Sequence, residues 1–71
     1  MEILAKRLLE MRKFKGLRQE DAAKELGISF NSYCRYEHGQ RDPDAPIIAA
    51  MAEFFGVSAA YLLGLTDTPK L

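Results

Sequence analysis

The sequence predicts an all-α fold, a compact five-helix bundle whose second and third helices form a helix-turn-helix. Three observations carry that expectation. Apolar residues recur at three- and four-residue spacings and nowhere alternate in twos. Gly16, Gly27, Gly39, Gly56 and Gly64 each fall where such a stripe stops. Between Leu17 and Gly39, two short helical stretches are separated only by Gly27, Ile28 and Ser29.

The first helix spans Ile3 to Phe14. Leu4, Leu8 and Met11 form its buried stripe, with Ile3 and Phe14 at the margins. Arg12 falls beside that stripe rather than opposite it, so either its stem snorkels over apolar surface or its charge meets a partner. The second helix carries Ala22, Ala23 and Leu26 on one face and stops at Gly27, which can turn left-handed without a Cβ penalty. Ile28 plugs the turn from inside, and Ser29 is placed as an N-cap. The third helix, Phe30 to His38, stops at Gly39. Ser32, Tyr33 and Tyr36 share its inward side, while Phe30, Asn31, Cys34, Arg35 and His38 share the other. A guanidinium, an amide, a ring and a thiol together suit the edges of base pairs, where guanidinium and amide can each form two hydrogen bonds.

After Gly39, Pro43 blocks helix continuation, Asp44 can cap the next helix, and Pro46 sits in a first turn where its missing N–H does no harm. The fourth helix, Ala45 to Phe55, turns Ile48, Met51, Ala52 and Phe55 inward and ends at Gly56. Ser58 caps a short fifth helix, Ala59 to Leu63, closed by Gly64. Residues 1–67 read as one domain and 68–71 as a short, loose tail.

Composition narrows the classes. A chain of 71 residues buries only about 60% of the surface its unfolded form exposes, which leaves room for one small core. Apolar content of 48% argues against general disorder. One cysteine allows no internal disulfide and fits a reducing cytoplasm. No signal peptide is visible, and Glu53, Gly56 and Ser58 interrupt the most apolar region, so no membrane span is expected. Ten basic and ten acidic residues cancel. Residues 1–18, however, hold Lys6, Arg7, Arg12, Lys13, Lys15 and Arg18 against only Glu2 and Glu10, so one face can still be positive toward phosphates.

The segment LRQEDAAKELGISFNSYCRYEHG, together with EFFGVSAAYLLGLTD near the C-terminus, resembles the lambda-repressor-like DNA-binding domains of Cro/CI-type (XRE-like) transcriptional repressors. The likeness covers nearly the whole chain. It implies that Arg12 pairs with Glu37 at the end of the recognition helix, and that Gln19 contacts phosphate, although a neutral residue at a helix start has a plainer explanation. Arg18 departs from the pattern, which has Ser or Thr there. Arginine cannot accept a hydrogen bond, so the cap's contribution of about 1 kcal/mol is expected to be lost, with Glu20 and Asp21 compensating through the helix dipole. Arg18 is instead expected to reach phosphate, and Arg41 either does the same or is simply solvated.

The resulting expectation is a sequence-specific DNA-binding regulator of transcription, a repressor in type, reading the major groove with helix 30–38. Its partner is double-stranded DNA with a pseudo-palindromic operator, bound by a homodimer at least on DNA. Phe30, Asn31, Cys34 and Arg35 are the expected base readers; Arg18, Gln19, Ser29, Ser32 and Arg41 the expected phosphate contacts. Tyr61 and Leu65 are the candidate dimer surface, unless they complete the core. The competing class is a helical protein-interaction module of the same fold, favoured by the neutral charge and by Phe30. A lone Cys34 without a resolving partner reads more simply as a small residue than as a redox switch. One histidine and one cysteine make no zinc site, and no nucleophile has a base at useful spacing, so no enzyme, metal, cofactor or small-molecule ligand is expected.

Overall fold

Leu4 and Leu8 lie one helical turn apart, and the computed structural model, which describes residues 1–70, buries both completely. They belong to α1 (Glu2–Phe14), which is followed by α2 (Gln19–Leu26), α3 (Phe30–Glu37), α4 (Ala45–Phe55) and α5 (Ala59–Leu62). There is no strand among the described residues. Among the described residues, no helix is long and apolar enough to cross a membrane.

The core has two parts. The larger gathers Leu4 and Leu8 of α1, Tyr36 of α3, Met51, Ala52 and Phe55 of α4, Val57 of the following turn and Leu62 of α5. Each fully buried aliphatic side chain contributes about 1.5–3 kcal/mol. The smaller part is Ala22, Ala23 and Tyr33, where two alanines let α2 and α3 approach closely. Leu26 and Ile28 touch both parts and join the helix-turn-helix to the rest.

The caps follow the side chains available. Ser29 Oγ accepts from Ser32 N–H at 3.0 Å, Asp44 Oδ1 from Ile47 N–H at 3.1 Å, and Ser58 Oγ from Tyr61 N–H at 3.0 Å. Gly27 sits at φ +69°, and with the chain reversed there Ile28 N–H reaches Ala23 O at 3.1 Å. At Gly64, a Cβ would lie 2.9 Å from Ile3 Cγ2, so α1 closes directly onto backbone.

Several expectations change here. The regular parts of α3 and α5 end one residue early, with His38 and Leu63 serving as C-caps. Phe14 does not lie at the edge of the core: it is 94% exposed. The segment expected to be loose is anchored as far as Pro69, whose carbonyl accepts from Ser58 N–H at 3.1 Å; Leu71 lies outside the described residues.

Arg7, counted above among the charges of a positive face, is turned inward instead and organises that anchoring. It is almost fully buried, and Nη1 donates to the carbonyls of Tyr61 and, at 2.8 Å, Thr66. Nη2 donates to Asp67 Oδ1 at 2.9 Å, and the guanidinium lies 4.0 Å from the centre of the Tyr61 ring. Its position three residues after Leu4 and four before Met11, on the apolar stripe itself, was the available signal.

Candidate nucleic-acid interface

The third helix is short, about 12 Å of axis, so its placement depends on what holds its two ends. At the N-terminus, Ser29 caps it, and the Ser29 hydroxyl also donates to Ser32 Oγ at 3.0 Å. Both serines are therefore joined to each other at the mouth of the helix, with Ser29 exposed and Ser32 half-buried. At the C-terminus, Glu37 turns inward, and its side chain is only 2% exposed.

Arg12 meets Glu37 there with both edges of its fork. Nε donates to Oε2 at 2.9 Å and Nη2 to Oε1 at 2.8 Å, while Nη1 donates to Leu17 O at 2.8 Å. One guanidinium thus joins α1, the α1–α2 connection and the end of α3. Gln19 Nε2 adds a hydrogen bond to Glu37 Oε1 at 3.2 Å. Burial opposes the charged form of Glu37, but the hydrogen bonds from Arg12 and Gln19 outweigh it and hold the carboxyl below its ordinary range. The bond to Glu37 likewise raises Arg12 above its ordinary value. Tyr33 buries its hydroxyl nearby without a hydrogen-bond partner among the described residues. Burial first, and then the Glu37 carboxylate, push its pKa far up.

Cys34 is half-buried, and its thiol donates to Gln19 Oε1 at 3.5 Å. It stands at the edge of the outward face, turned toward α2, because α2 packs against that side of the helix. The sequence held no signal for this contact between side chains on different helices. The face itself consists of Phe30, 53% exposed, with Asn31, Arg35 and His38, all exposed. Arg35 pairs with no carboxylate among the described residues. Arg41, also exposed, carries its guanidinium 5.5 Å from the centre of the Tyr36 ring, beside the end of α3.

At the start of α2, Arg18 corrects one expectation. Its side chain cannot cap, but Asp21 Oδ2 accepts from Arg18 N–H at 3.0 Å, so the acidic half of a capping box is present. The guanidinium is turned onto carboxylates, with Nε 3.1 Å from Asp21 Oδ2 and Nη1 2.9 Å from Glu20 Oε1. Hydrogen bonds from the Arg18 side chain and then its backbone lower the Asp21 pKa. Compensation at this helix start therefore includes direct pairing as well as the dipole. Tyr61, in α5, is half-buried under Arg7, whereas Leu65 is 77% exposed.

Comparison with known proteins agrees with this geometry. A family model described as a helix-turn-helix domain matches residues 5–68. The HTH-type transcriptional regulator ImmR of Bacillus subtilis is 39% identical over 67 residues, covering 94% of this chain and 53% of the relative. YazB of the same organism, an uncharacterized HTH-type transcriptional regulator, is 43% identical over 58 residues, covering 82% of this chain and 84% of the relative. The cryptic phage CTXphi transcriptional repressor RstR of Vibrio cholerae is 29% identical over 66 residues, covering 93% and 60%. The chain spans about half the length of ImmR.

Proposed function

The chain belongs to the Cro/CI-type (XRE-like) helix-turn-helix family, and from that premise we propose that it is a sequence-specific DNA-binding regulator of transcription, a repressor in type. The observation that carries this is the division of α3. One side is held by Tyr33, Tyr36 and the Arg12–Glu37 pair, while the other leaves Asn31, Arg35 and Phe30 exposed to solvent.

Arg35 can donate to O6 and N7 of a guanine, Asn31 can pair with an adenine, and Phe30 can press on a thymine methyl. Cys34, at the edge of this face, lies against the same bases. Gln19, Ser29, Ser32, Arg18 and Arg41 surround the helix and set its register on phosphates. Arg18 does so by exchanging the carboxylates of Glu20 and Asp21 for a phosphate. Two copies on a pseudo-palindromic operator place their α3 helices in successive major grooves, about 34 Å apart. Such a protein works in the compartment that holds the DNA, the cytoplasm of a cell without a nucleus.

Selection of bound duplexes from a random pool tests the proposal. The expected outcome is enrichment of a two-fold site with half-sites about one helical turn apart. Recovery of an unenriched pool at low salt overturns it.

A further inference from the structure

We propose that Glu37 acts on DNA through Gln19: it is a positioning residue that orients the Gln19 amide so that an unengaged N–H is ready for a backbone phosphate. The inference rests on the reading of the chain as a DNA binder. It adds to the binding machinery a residue that never touches the duplex, since the Glu37 side chain is only 2% exposed.

A side-chain amide has two ends of nearly the same shape, and only the NH2 end can donate to a phosphate. On a free glutamine the two exchange places by a half-turn about the last torsion. Gln19, the first residue of α2 and half-buried, is held against that exchange. Nε2 donates to Glu37 Oε1 at 3.2 Å, and Oε1 accepts from the Cys34 thiol at 3.5 Å. A half-turn would set the amide oxygen against a carboxylate oxygen, acceptor against acceptor. The thiol is a weak donor, so the carboxylate dominates the choice. Glu37 can impose it because Arg12 fixes both of its oxygens, at 2.9 and 2.8 Å. Arg12 also cancels the charge that would otherwise repel a phosphate approaching Gln19.

One N–H of Nε2 is spent on Glu37; the other has no acceptor among the described residues. A donor whose orientation is already set loses less freedom on binding than one that still rotates. Its neighbour also leaves room for an anion: Arg18, the N-cap of α2, has no side-chain oxygen with which to satisfy the first-turn N–H groups.

A double-mutant cycle on DNA affinity tests it, with the full chain titrated against a duplex carrying the selected site and against a random duplex at low salt. Gln19→Ala is made in the wild type and in Arg12→Met with Glu37→Leu, a background that strands no charge but offers Gln19 no carboxylate. In the wild type, Gln19→Ala is expected to weaken both duplexes about tenfold, the worth of one hydrogen bond to a charged group. In the replaced background it is expected to cost less than about twofold, since the amide there has already lost its orientation. Melting temperatures establish that each protein is folded at the assay temperature. Should the replaced background not fold, Glu37→Gln takes its place, because an amide at 37 meets either end of Gln19 equally well. A merely structural Arg12–Glu37 pair predicts the same loss from Gln19→Ala in both backgrounds, and that result overturns the proposal. So does a wild type indifferent to Gln19→Ala. A wild type that binds neither duplex removes the DNA-binding reading itself, and is told apart from these results because in both of them the wild type binds.

Discussion

Two arginines stand six residues apart at the ends of the α1–α2 connection, and the molecule uses them in opposite ways. Arg12 is 12% exposed and holds Glu37 with a two-pronged fork. Arg18 is exposed and shares its charge between Glu20 and Asp21 on its own helix. Both are ion pairs of similar length, yet their contexts differ. The first has lost water and joins three segments; the second is solvated and local. A shielded pair fixes geometry because breaking it strands a charge, whereas an exposed pair can be traded for another anion at little cost.

The sharpest way to break the comparison is to remove one member of each pair. Arg12→Ala and Glu37→Ala are each expected to lose about 3–5 kcal/mol of unfolding free energy, measured by urea titration, since the remaining charge is left without its partner. Arg12→Met with Glu37→Leu should recover most of the loss, because no stranded charge remains. Equal stability of wild type and single variants would show that the pair only decorates the surface.

Acid offers a smaller perturbation of the same contact, since a protonated Glu37 still accepts hydrogen bonds. Its folded pKa is depressed, so its stabilisation is fully present above the unfolded value of about 4.3 and disappears as pH falls through the folded value. Wild-type stability should therefore decline below about pH 4, and Glu37→Gln should flatten that decline. Thermal melts between pH 2 and 7 measure it; parallel curves for both proteins would remove Glu37 from the account.

Arg35→Ala moves the test to the other side of α3. It is expected to cost about 1–3 kcal/mol of operator binding and to relax preference at one base position, with no change in melting temperature. Competition between the selected site and its single-base variants reads this out. Uniform weakening across all of them would mean that Arg35 meets only phosphate.

How much was legible in the sequence follows the same boundary between local and distant contacts. The helices, their order and the turn at Gly27 are local consequences of spacing, glycine and caps such as Ser29, Asp44 and Ser58, and they can be read one turn at a time. Arg12 beside an apolar stripe announces a partner without naming it; Glu37 came from the family resemblance. Contacts between distant side chains were hidden. Cys34 on Gln19 and Arg7 on Thr66 and Asp67 depend on how helices pack, which no periodicity reports. Phe14 misled because its apolar character follows the stripe, whereas its 94% exposure depends on how the helices pack, which periodicity does not report.

Arg18 carries the smallest expected effect and the most informative one. Its pairs lie in solvent, so Arg18→Ala should leave the melting temperature almost unchanged, in contrast to Arg12→Ala. On DNA the outcome depends on which anion the guanidinium prefers. If it exchanges Asp21 and Glu20 for phosphate, Arg18→Ala weakens every duplex alike and reduces the salt slope by about 1, the signature of one lost phosphate contact. Glu20→Gln should then act in the opposite direction, strengthening all duplexes, because a competing carboxylate has been removed from a face that must approach a polyanion. Measuring affinity for specific and random duplexes at several salt concentrations separates the cases. An unchanged slope in Arg18→Ala, with Glu20→Gln neutral, would mean that the carboxylates keep Arg18 and that its only task is to complete the start of α2.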